Sequence, residues 1–326
     1  HLAEALAHDH DVAVFGPTPC EDVHEFVAYW KREQMRYSLP PRAKDPIIVS
    51  RAPSYGIKHL DEAARATCER KFLWLQDIPY PDLNAEVAAG YEKIIAVSNW
   101  HKAMLHELHK VPLDKMEVIH NFVLPRHFAN PPARNPHRFV YASSPDRGIV
   151  RCLELWPRIR EALPDAELHL YYGWKGCERL SRDGQAWNWR YERTRRAFEK
   201  LRHQPGVIAR GMIGHEAFDR ELCASSVWLH PAIDVVGQEF SETCCTLAFQ
   251  ARAAGCVPVC AATAALAETA ASELTRFVDP NDLDGFAQAA IEAASEPEDA
   301  RAAMARVALR DHSVEVALAA WKKILA

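Results

Sequence analysis

Two polar side chains, Glu242 and Gln250, stand eight residues apart in the segment 239–259. The segment reads as a polar turn, an amphipathic helix over Thr243 to Ala254, a glycine and a short apolar strand. The first N–H groups of a helix have no partner within it, and the helix dipole makes that end electropositive. We therefore expect the helix start to favour a negatively charged ligand, with Glu242 and Gln250 on nearly the same helix face beside it.

A second group suited to an anion is Arg147, which stands between a predicted strand and a predicted helix. The strand covers 138–142, Ser143 and Ser144 follow it, and Gly148 separates Arg147 from the helix. A guanidinium beside two hydroxyl groups can hold an oxyanion at a strand end. A solvated surface arginine is the alternative interpretation.

Short strand-like runs alternate with helical patterns along the chain, which predicts parallel sheets covered by helices. A proline-rich stretch at 130–136 separates two such series. The predicted fold class is α/β, with two tandem doubly wound, Rossmann-like domains facing a cleft, where ligands bind by default. The chain opens on a helical pattern, so the N-terminal domain is predicted to lack its first strand, and we expect a trimmed or incompletely covered sequence there.

Composition excludes several function classes. The net charge of −5 and the pI near 6.4 give no general attraction for nucleic acid. No apolar run reaches the 18 or so residues of a membrane span. The nine cysteines include no Cys-x-x-Cys pair and are interpreted as apolar thiols in a reducing cytoplasm. The sixteen histidines show no spacing typical of metal ligands, so no metal site is predicted.

Four segments, in this order and spacing, resemble the retaining glycosyltransferases of the family 4 (group 1) type, which have the GT-B fold. They are 94–101 with 114–121, 141–148 with 155–157 and 164–169, 206–213 with 227–231, and 239–259 with 264–269. The resemblance implies an N-terminal acceptor-side domain over 1–130 and a nucleotide-sugar-binding domain over 131–310. It also implies a C-terminal helix, 311–326, that crosses back to the first domain.

The resemblance assigns roles to the residues at the strand end. Arg147 contacts the diphosphate of the donor, whose negative charge grows as the sugar leaves. Ser143 and Ser144 donate hydrogen bonds to the same phosphates. Relatives often carry a second basic residue at the position of Ala142, and that contact is absent here or is made by another residue such as Arg210.

The segment 239–259 then acquires more specific roles. Glu242 contacts hydroxyl groups of the donor sugar, and Thr243 and Cys244 offer backbone N–H groups to the phosphates. Gln250 stands where relatives have a second glutamate that accepts hydrogen bonds from the ribose. Its carbonyl oxygen can accept one such bond, and an amide on the helix surface is the alternative.

Three further predictions concern the base, the acceptor and aromatic stacking. Gly211 and Met212 are placed against the nucleotide base, with Met212 as core filler the alternative. Asp77, in the N-terminal half, orients a sugar or acceptor hydroxyl or caps the loop before Pro79. An aromatic group offers stacking faces or packs within the domain: Tyr172, Trp174, Trp187 and Trp189.

The predicted function is retaining transfer of a hexose from a nucleotide-diphosphate sugar to a glycan or lipid-linked acceptor, in polysaccharide biosynthesis. The donor is a co-substrate, no cofactor or metal is required, and peripheral contact with the inner membrane surface is expected. One alternative is a catalytically silent nucleotide-sugar-binding module. Another is a second enzyme of the same architecture, such as a nucleotide-sugar epimerase or a phosphorylase.

Overall fold

The structure, a computed structural model, describes residues 2–10, 12–16, 22–24, 27–31, 46–53, 69–174, 188–234, 237 and 239–326. Contacts between Cα atoms divide the chain into two compact units. Unit 1 comprises 1–121 together with 314–326, and unit 2 comprises 122–313. Each unit is described by itself.

The described residues of unit 1 form two sheets. The smaller has three strands, in which β3 (Val27–Lys31) lies between a parallel β1 (Val12–Gly16) and an antiparallel β2 (Asp22–His24). The larger is fully parallel in chain order: β4 (Ile47–Ser50), β5 (Lys71–Trp74), β6 (Lys93–Ala96) and β7 (Met116–Val118). Its helices are α1 (Leu2–Leu6), α2 (Ala85–Ala89), α3 (Asn99–His109) and, at the C-terminus, α11 (Val314–Leu325).

The start of α3 follows from local chemistry. Ser98 is in an extended conformation and its hydroxyl accepts a hydrogen bond from the His101 N–H at 2.9 Å. This satisfies one of the unpaired donors at the helix start, so Ser98 is the N-cap of α3.

Unit 2 contains one six-stranded parallel sheet. Its strands are β8 (Arg138–Ala142), β9 (Glu167–Tyr171), β10 (Val207–Gly211), β11 (Val227–His230), β12 (Val257–Cys260) and β13 (Arg276–Phe277). Their spatial order is β10-β9-β8-β11-β12-β13. Counted from β8 this is 3-2-1-4-5-6, the order of dinucleotide-binding sheets, which reverses direction between β8 and β11.

The helices of unit 2 fall into two packed groups. One group is α4 (Ile149–Ala162), α5 (Asn188–Leu201) and α9 (Leu283–Ala294). The other is α6 (His215–Cys223), α7 (Thr246–Ala253), α8 (Leu266–Thr269) and α10 (Glu298–Asp311). All residues of β11 and β12 are buried, as expected for strands covered on both faces. The predicted fold class of two parallel-sheet, Rossmann-like domains is confirmed.

One detail of the sequence prediction is wrong. The helix after Glu242 begins at Thr246, not at Thr243, and Cys245 is its N-cap. The preceding residues remain extended because they pair with neighbouring loops: Phe240 N–H donates to Ala232 O at 2.7 Å, and Glu242 O accepts from Ala265 N–H at 3.0 Å.

None of the helices in the described part of the chain combines the length and the apolar character that crossing a membrane requires.

Candidate functional site

The strongest candidate site lies where the sheet of unit 2 reverses direction. Strands β8 and β11 are parallel neighbours, so their carboxyl ends meet at one edge. Ligands of doubly wound sheets bind at this switch point. Residues 143–148 follow β8, and His230 is the last residue of β11.

A tight turn positions Arg147 at this edge. The buried Tyr141 hydroxyl donates to Ser144 O at 2.7 Å, and the Arg147 N–H donates to the same carbonyl at 3.0 Å. The Ser144 hydroxyl donates to the Asp146 carboxylate, so it stabilises the turn as well as lying in the site. Gly148 has φ 124°, and a Cβ there would lie 3.1 Å from Pro231 Cδ, so both backbone and space require glycine.

Arg147 and Glu242 form an ion pair, with 3.2 Å between Nη1 and Oε1. The guanidinium carbon lies 3.8 Å from the centroid of the Phe240 ring, a cation–π geometry that orients the group. Burial acts to raise the Glu242 pKa, but His230 and Arg147 together hold it below its usual value. Glu242 is therefore ionised at neutral pH although only 12% of its side chain is exposed.

A third side chain of this candidate site, His230, has a position to which the sequence assigned no role. Its Nε2 lies 3.6 Å from Glu242 Oε1, and its ring stacks on Trp228 at 5.1 Å between centroids. Neither ring nitrogen has a hydrogen bond to any described residue, although the side chain is 1% exposed. The Nε of Arg147 is likewise buried without one. The signal that the sequence offered for His230 was its position at the end of the predicted strand 227–229, just before Pro231.

The donor atoms of His230, Glu242 and Cys245 all lie within 4.8 Å of one another. A nitrogen, a carboxylate oxygen and a thiol are a ligand set that suits Zn²⁺. Burial raises the Cys245 pKa well above its usual value, so without a metal the group is a thiol, and a metal that bound here would have to displace its proton. The expectation that no metal is required stays a prediction, and this cluster is where a metal would be sought.

Because α7 begins at Thr246, the N–H groups of its first turn are not those that the sequence predicted. Thr243 and Cys244 precede the N-cap Cys245, so their N–H groups belong to the extended segment rather than to the first turn of α7. Both residues lie next to Glu242 in the chain, and the predicted phosphate contacts from their N–H groups stay a prediction. Ser143 is half-buried beside Ser144 at the end of β8.

Gln250 lies in a different environment from Glu242. Its amide nitrogen donates to Asp219 Oδ1 at 2.7 Å, and His127 Nδ1 lies 2.7 Å from Asp219 Oδ2. Burial raises the pKa of Asp219, although His127 and Gln250 oppose that effect. One amide N–H of Gln250 is thus used within the protein, and the predicted contact to a ribose is left to the carbonyl oxygen and the second amide N–H.

The ends of β9 and β10 carry exposed apolar side chains. Gly211 ends β10 with φ 71°, and Met212, directly after it, is 62% exposed. Met212 is thus not core filler in this structure. Of the four aromatic residues named above, Tyr172 and Trp189 are exposed and Trp174 packs on Phe198, whereas Trp187 lies outside the described residues.

Arg210 and Asp77 make contacts that do not involve the ion pair. Arg210 is exposed and its Nε donates to His169 Nδ1 at 3.4 Å, so no contact within the described residues links it to the position of Ala142. Asp77 is in unit 1, where its backbone N–H donates to the Tyr80 hydroxyl at 2.8 Å and its carboxylate lies 3.5 Å from Arg51. These contacts fit the loop-capping interpretation, and a role towards a hydroxyl group stays a prediction.

Comparison with known proteins addresses the fold. No protein-family model matches the chain, and no curated protein matches it in sequence. A glycosyltransferase from Rickettsia africae matches in structure with a TM-score of 0.73 at 16% identity, over 99% of this chain and 92% of that one. Sucrose-phosphate synthase from Thermosynechococcus elongatus matches with a TM-score of 0.71 at 16% identity, over 99% and 90%.

A UDP-forming α,α-trehalose-phosphate synthase from Burkholderia vietnamiensis matches with a TM-score of 0.64 at 13% identity, over 99% of this chain and 96% of that one. The chain has the fold of the GT-B glycosyltransferases. At these identities the likeness establishes the fold, and membership of family 4 stays a prediction.

Proposed function

We propose that the chain is a retaining glycosyltransferase that moves a hexose from a nucleotide-diphosphate sugar to a glycan or lipid-linked acceptor. The observation that carries the proposal is the Arg147–Glu242 pair at the sheet's switch point, surrounded by buried polar atoms without hydrogen bonds. Buried polar groups are almost always hydrogen-bonded, so such a cluster suits a bound ligand that completes it.

The chemistry follows from the charges of the site. Cleavage of a sugar–diphosphate bond leaves negative charge on the diphosphate, and a fixed cation stabilises that charge as it develops. Arg147 is held by Phe240 and Glu242 before the donor arrives, so little reorganisation is needed. Its pKa is raised, against the effect of burial, mainly by Glu242 and Asp146, so it stays charged throughout.

Glu242 has two roles in this proposal. Its carboxylate keeps the guanidinium in place, and its oxygens accept hydrogen bonds from the hydroxyl groups of the donor sugar. His230, beside Oε1, limits the directions in which that carboxylate can point. No metal is required for these steps because the arginine supplies the positive charge.

The structural neighbours support the class of donor. The trehalose-phosphate synthase is UDP-forming, and this chain spans nearly all of its length. The six cysteines that the structure describes are free thiols, which suits a reducing compartment such as the cytoplasm.

The experiment is to incubate the protein with UDP-, GDP- and ADP-sugars, with and without candidate glycan acceptors, and to measure the release of nucleoside diphosphate. We expect release from one donor class that rises with acceptor and is lost in Arg147→Met. A panel that yields no release and no binding of any nucleotide would refute the proposal.

A catalytically silent nucleotide-sugar-binding module remains a second candidate. Two observations favour it: Ala142 supplies no second cation, and the amide of Gln250 donates within the protein to Asp219. The same panel separates the two candidates, because a silent module would bind a nucleotide-sugar in calorimetry but release no nucleoside diphosphate.

A further inference from the structure

Three side chains of different chemistry meet at the end of β11, and we call them the His–Glu–Cys group: His230, Glu242 and Cys245. One donor atom from each, a ring nitrogen, a carboxylate oxygen and the thiol sulfur, lies within 4.8 Å of the other two. An antiparallel bridge between Ile233 and Glu239 folds the chain back after β11. Glu242 therefore returns to the strand end that carries His230, and Cys245 follows as the N-cap of α7.

The His230 ring is buried, but the protein does not use its nitrogens. The side chain is 1% exposed, and neither nitrogen has a hydrogen bond to any residue that the structure describes. Buried polar groups are almost always paired, so an unpaired one indicates a ligand that completes it. Its Nε2 lies 3.6 Å from Glu242 Oε1, so the ring faces the carboxylate. This observation points to a ligand independently of the clustering of the three side chains.

The spacing of the three donor atoms fits a single tetrahedral ion. Bonds from Zn²⁺ of about 2.0–2.3 Å place tetrahedral ligand atoms roughly 3.3–3.6 Å apart. The 3.6 Å between His230 Nε2 and Glu242 Oε1 is already close to this spacing. The 4.8 Å limit on all three separations leaves movements of about 1 Å, which small side-chain rotations supply. Glu242 keeps 12% of its side chain exposed, so the group reaches solvent at the carboxylate.

The ligand types select the kind of metal. An imidazole and a thiolate favour Zn²⁺ and ions like it, whereas Mg²⁺ and Ca²⁺ prefer oxygen ligands. The S–H bond of Cys245 breaks as the sulfur–zinc bond forms, and the proton passes to solvent. The thiolate and the Glu242 carboxylate together then carry two negative charges, which balance the charge of the ion.

We propose that the His–Glu–Cys group is a Zn²⁺ site whose occupation inhibits the transferase reaction. The inhibition rests on the proposed function, because it acts through Glu242. A carboxylate bound to zinc attracts the Arg147 guanidinium less and offers fewer lone pairs to the hydroxyl groups of the donor sugar. The ion is an inhibitor rather than a requirement, so turnover is complete without it.

The first test measures binding to the whole chain without any donor. Co²⁺ is the probe, because it occupies zinc sites and absorbs near-ultraviolet light when a thiolate binds it. We expect this absorption in the unaltered chain and its loss when Zn²⁺ displaces the cobalt. Cys245→Ala should weaken Zn²⁺ binding at least about 100-fold, since even the loss of an outer contact costs a metal site 10–100-fold.

A matched control removes another buried thiol of unit 2. Cys256 is fully buried just before β12, at the opposite end of that strand from the His–Glu–Cys group. Cys256→Ala should keep the cobalt absorption and the affinity for Zn²⁺. Cys245→Ser keeps a polar side chain that suits the N-cap position, so it replaces Cys245→Ala if the alanine variant melts at a lower temperature.

The second test measures nucleoside diphosphate release as Zn²⁺ is added, with Mg²⁺ as the control ion. We expect turnover of the unaltered chain to fall at least about tenfold and to recover when EDTA is added, whereas Mg²⁺ has no effect. Cys245→Ala should keep its turnover without zinc and should no longer be inhibited. Zinc that binds the donor in solution would affect both proteins equally, so the difference between them isolates the site.

The outcomes separate the inference from the function on which it rests. No thiolate–cobalt absorption in the unaltered chain, or the same absorption in Cys245→Ala, overturns the site. Zinc that binds there and leaves turnover unchanged, or raises it, overturns the inhibition. If zinc binds at the His–Glu–Cys group but the chain neither binds nor turns over any nucleotide-sugar, the proposed function has failed and the metal site stands.

Discussion

The two ends of the Glu242-to-Gln250 segment differ in how their polar groups are satisfied. At the Glu242 end, Arg147 pairs with the carboxylate, but its Nε and both nitrogens of His230 are buried without hydrogen bonds to described residues. At the Gln250 end, the carboxylate of Asp219 lies within hydrogen-bond distance of both the Gln250 amide and the His127 ring. We call the first group, Arg147, His230 and Glu242, the open end because it has buried polar atoms without hydrogen bonds. We call the second group, Gln250, Asp219 and His127, the closed end because these side chains bond to one another.

From this difference we expect the open end to act in ligand binding and the closed end to act in the stability of unit 2. An unsatisfied buried donor costs free energy in the unliganded protein, so the open end is expected to be strained until a ligand binds. The closed end is expected to contribute to stability whether or not a ligand is present. Substitutions at the open end should therefore change donor affinity and turnover, whereas substitutions at the closed end should change the free energy of unfolding.

Replacing the cation of the open end should have the largest effect. In Arg147→Met the developing charge of the diphosphate loses its stabilising cation, so nucleoside diphosphate release should fall about 10²–10³-fold. Arg158→Met, on the neighbouring α4, breaks the exposed pair with Asp284 and serves as the control. Retention of full turnover in Arg147→Met would show that the open end does not hold the donor.

His230→Phe should separate stability from activity. The phenyl ring keeps the stacking on Trp228, and the removal of two nitrogens without hydrogen bonds offsets the loss of the contact with the largely buried Glu242, so the free energy of unfolding should change by less than about 1 kcal/mol. Donor affinity, measured by calorimetry, should fall about tenfold because Glu242 loses its neighbour.

The matched control for this variant is His169→Phe. His169 is equally buried, but its Nε2 lies 3.1 Å from Glu167 Oε2, so its loss should lower stability. If both variants lower the free energy of unfolding equally, the proposed difference between His230, which has no hydrogen bond to a described residue, and His169, which has one, is wrong.

Gln250→Glu should act on stability at the closed end. A second carboxylate facing Asp219, whose pKa burial already raises, should lower the free energy of unfolding by about 1–2 kcal/mol at pH 7. Because a carboxyl with a raised pKa favours folding in its protonated form, the loss should shrink as the pH falls towards 4. Denaturant unfolding at several pH values measures this.

The nucleotide affinity of the same variant tests whether Gln250 contacts the ribose of a nucleotide. At the closed end, Gln250→Glu and Gln250→Ala should each change affinity by less than about threefold, since no ligand contact is lost. A clear gain of affinity in Gln250→Glu would show that this side chain reaches a ribose after all.

Removal of metal should have the smallest effect. We expect donor turnover to be unchanged after dialysis against EDTA, because Arg147 supplies the positive charge. A loss of turnover that added Zn²⁺ restores would instead assign a metal to His230, Glu242 and Cys245, whose donor atoms are close enough to bind one.

The fold was largely predictable because its signals are local. The β-rich runs at 138–142 and 257–259 are strands of one sheet, and Ser98, a residue type favoured at helix starts, caps α3. The start of α7 was not predictable, since the segment before it is kept extended by hydrogen bonds to loops that are distant in sequence. The strands at 22–24 and 27–31 were not predicted, because such short segments show no clear alternation of apolar and polar residues.

The site was predictable only in part, because its contacts join residues that are distant in sequence. The pairing of Arg147 with Glu242 joins residues 95 positions apart and follows from the sheet order rather than from spacing. The spacing of Glu242 and Gln250 suggested one shared helix face, but the extended turn places only Gln250 on the helix. Tertiary contacts therefore decide that Glu242 pairs with Arg147 while Gln250 lies on the helix beside Asp219.

The most direct test of the open end is a crystal structure with the nucleoside diphosphate that binds most tightly. We predict that phosphate oxygens lie about 3 Å from the Arg147 guanidinium, at the carboxyl ends of β8 and β11. A diphosphate bound elsewhere, with Arg147 paired only to Glu242 and its Nε still without a partner, would contradict this account.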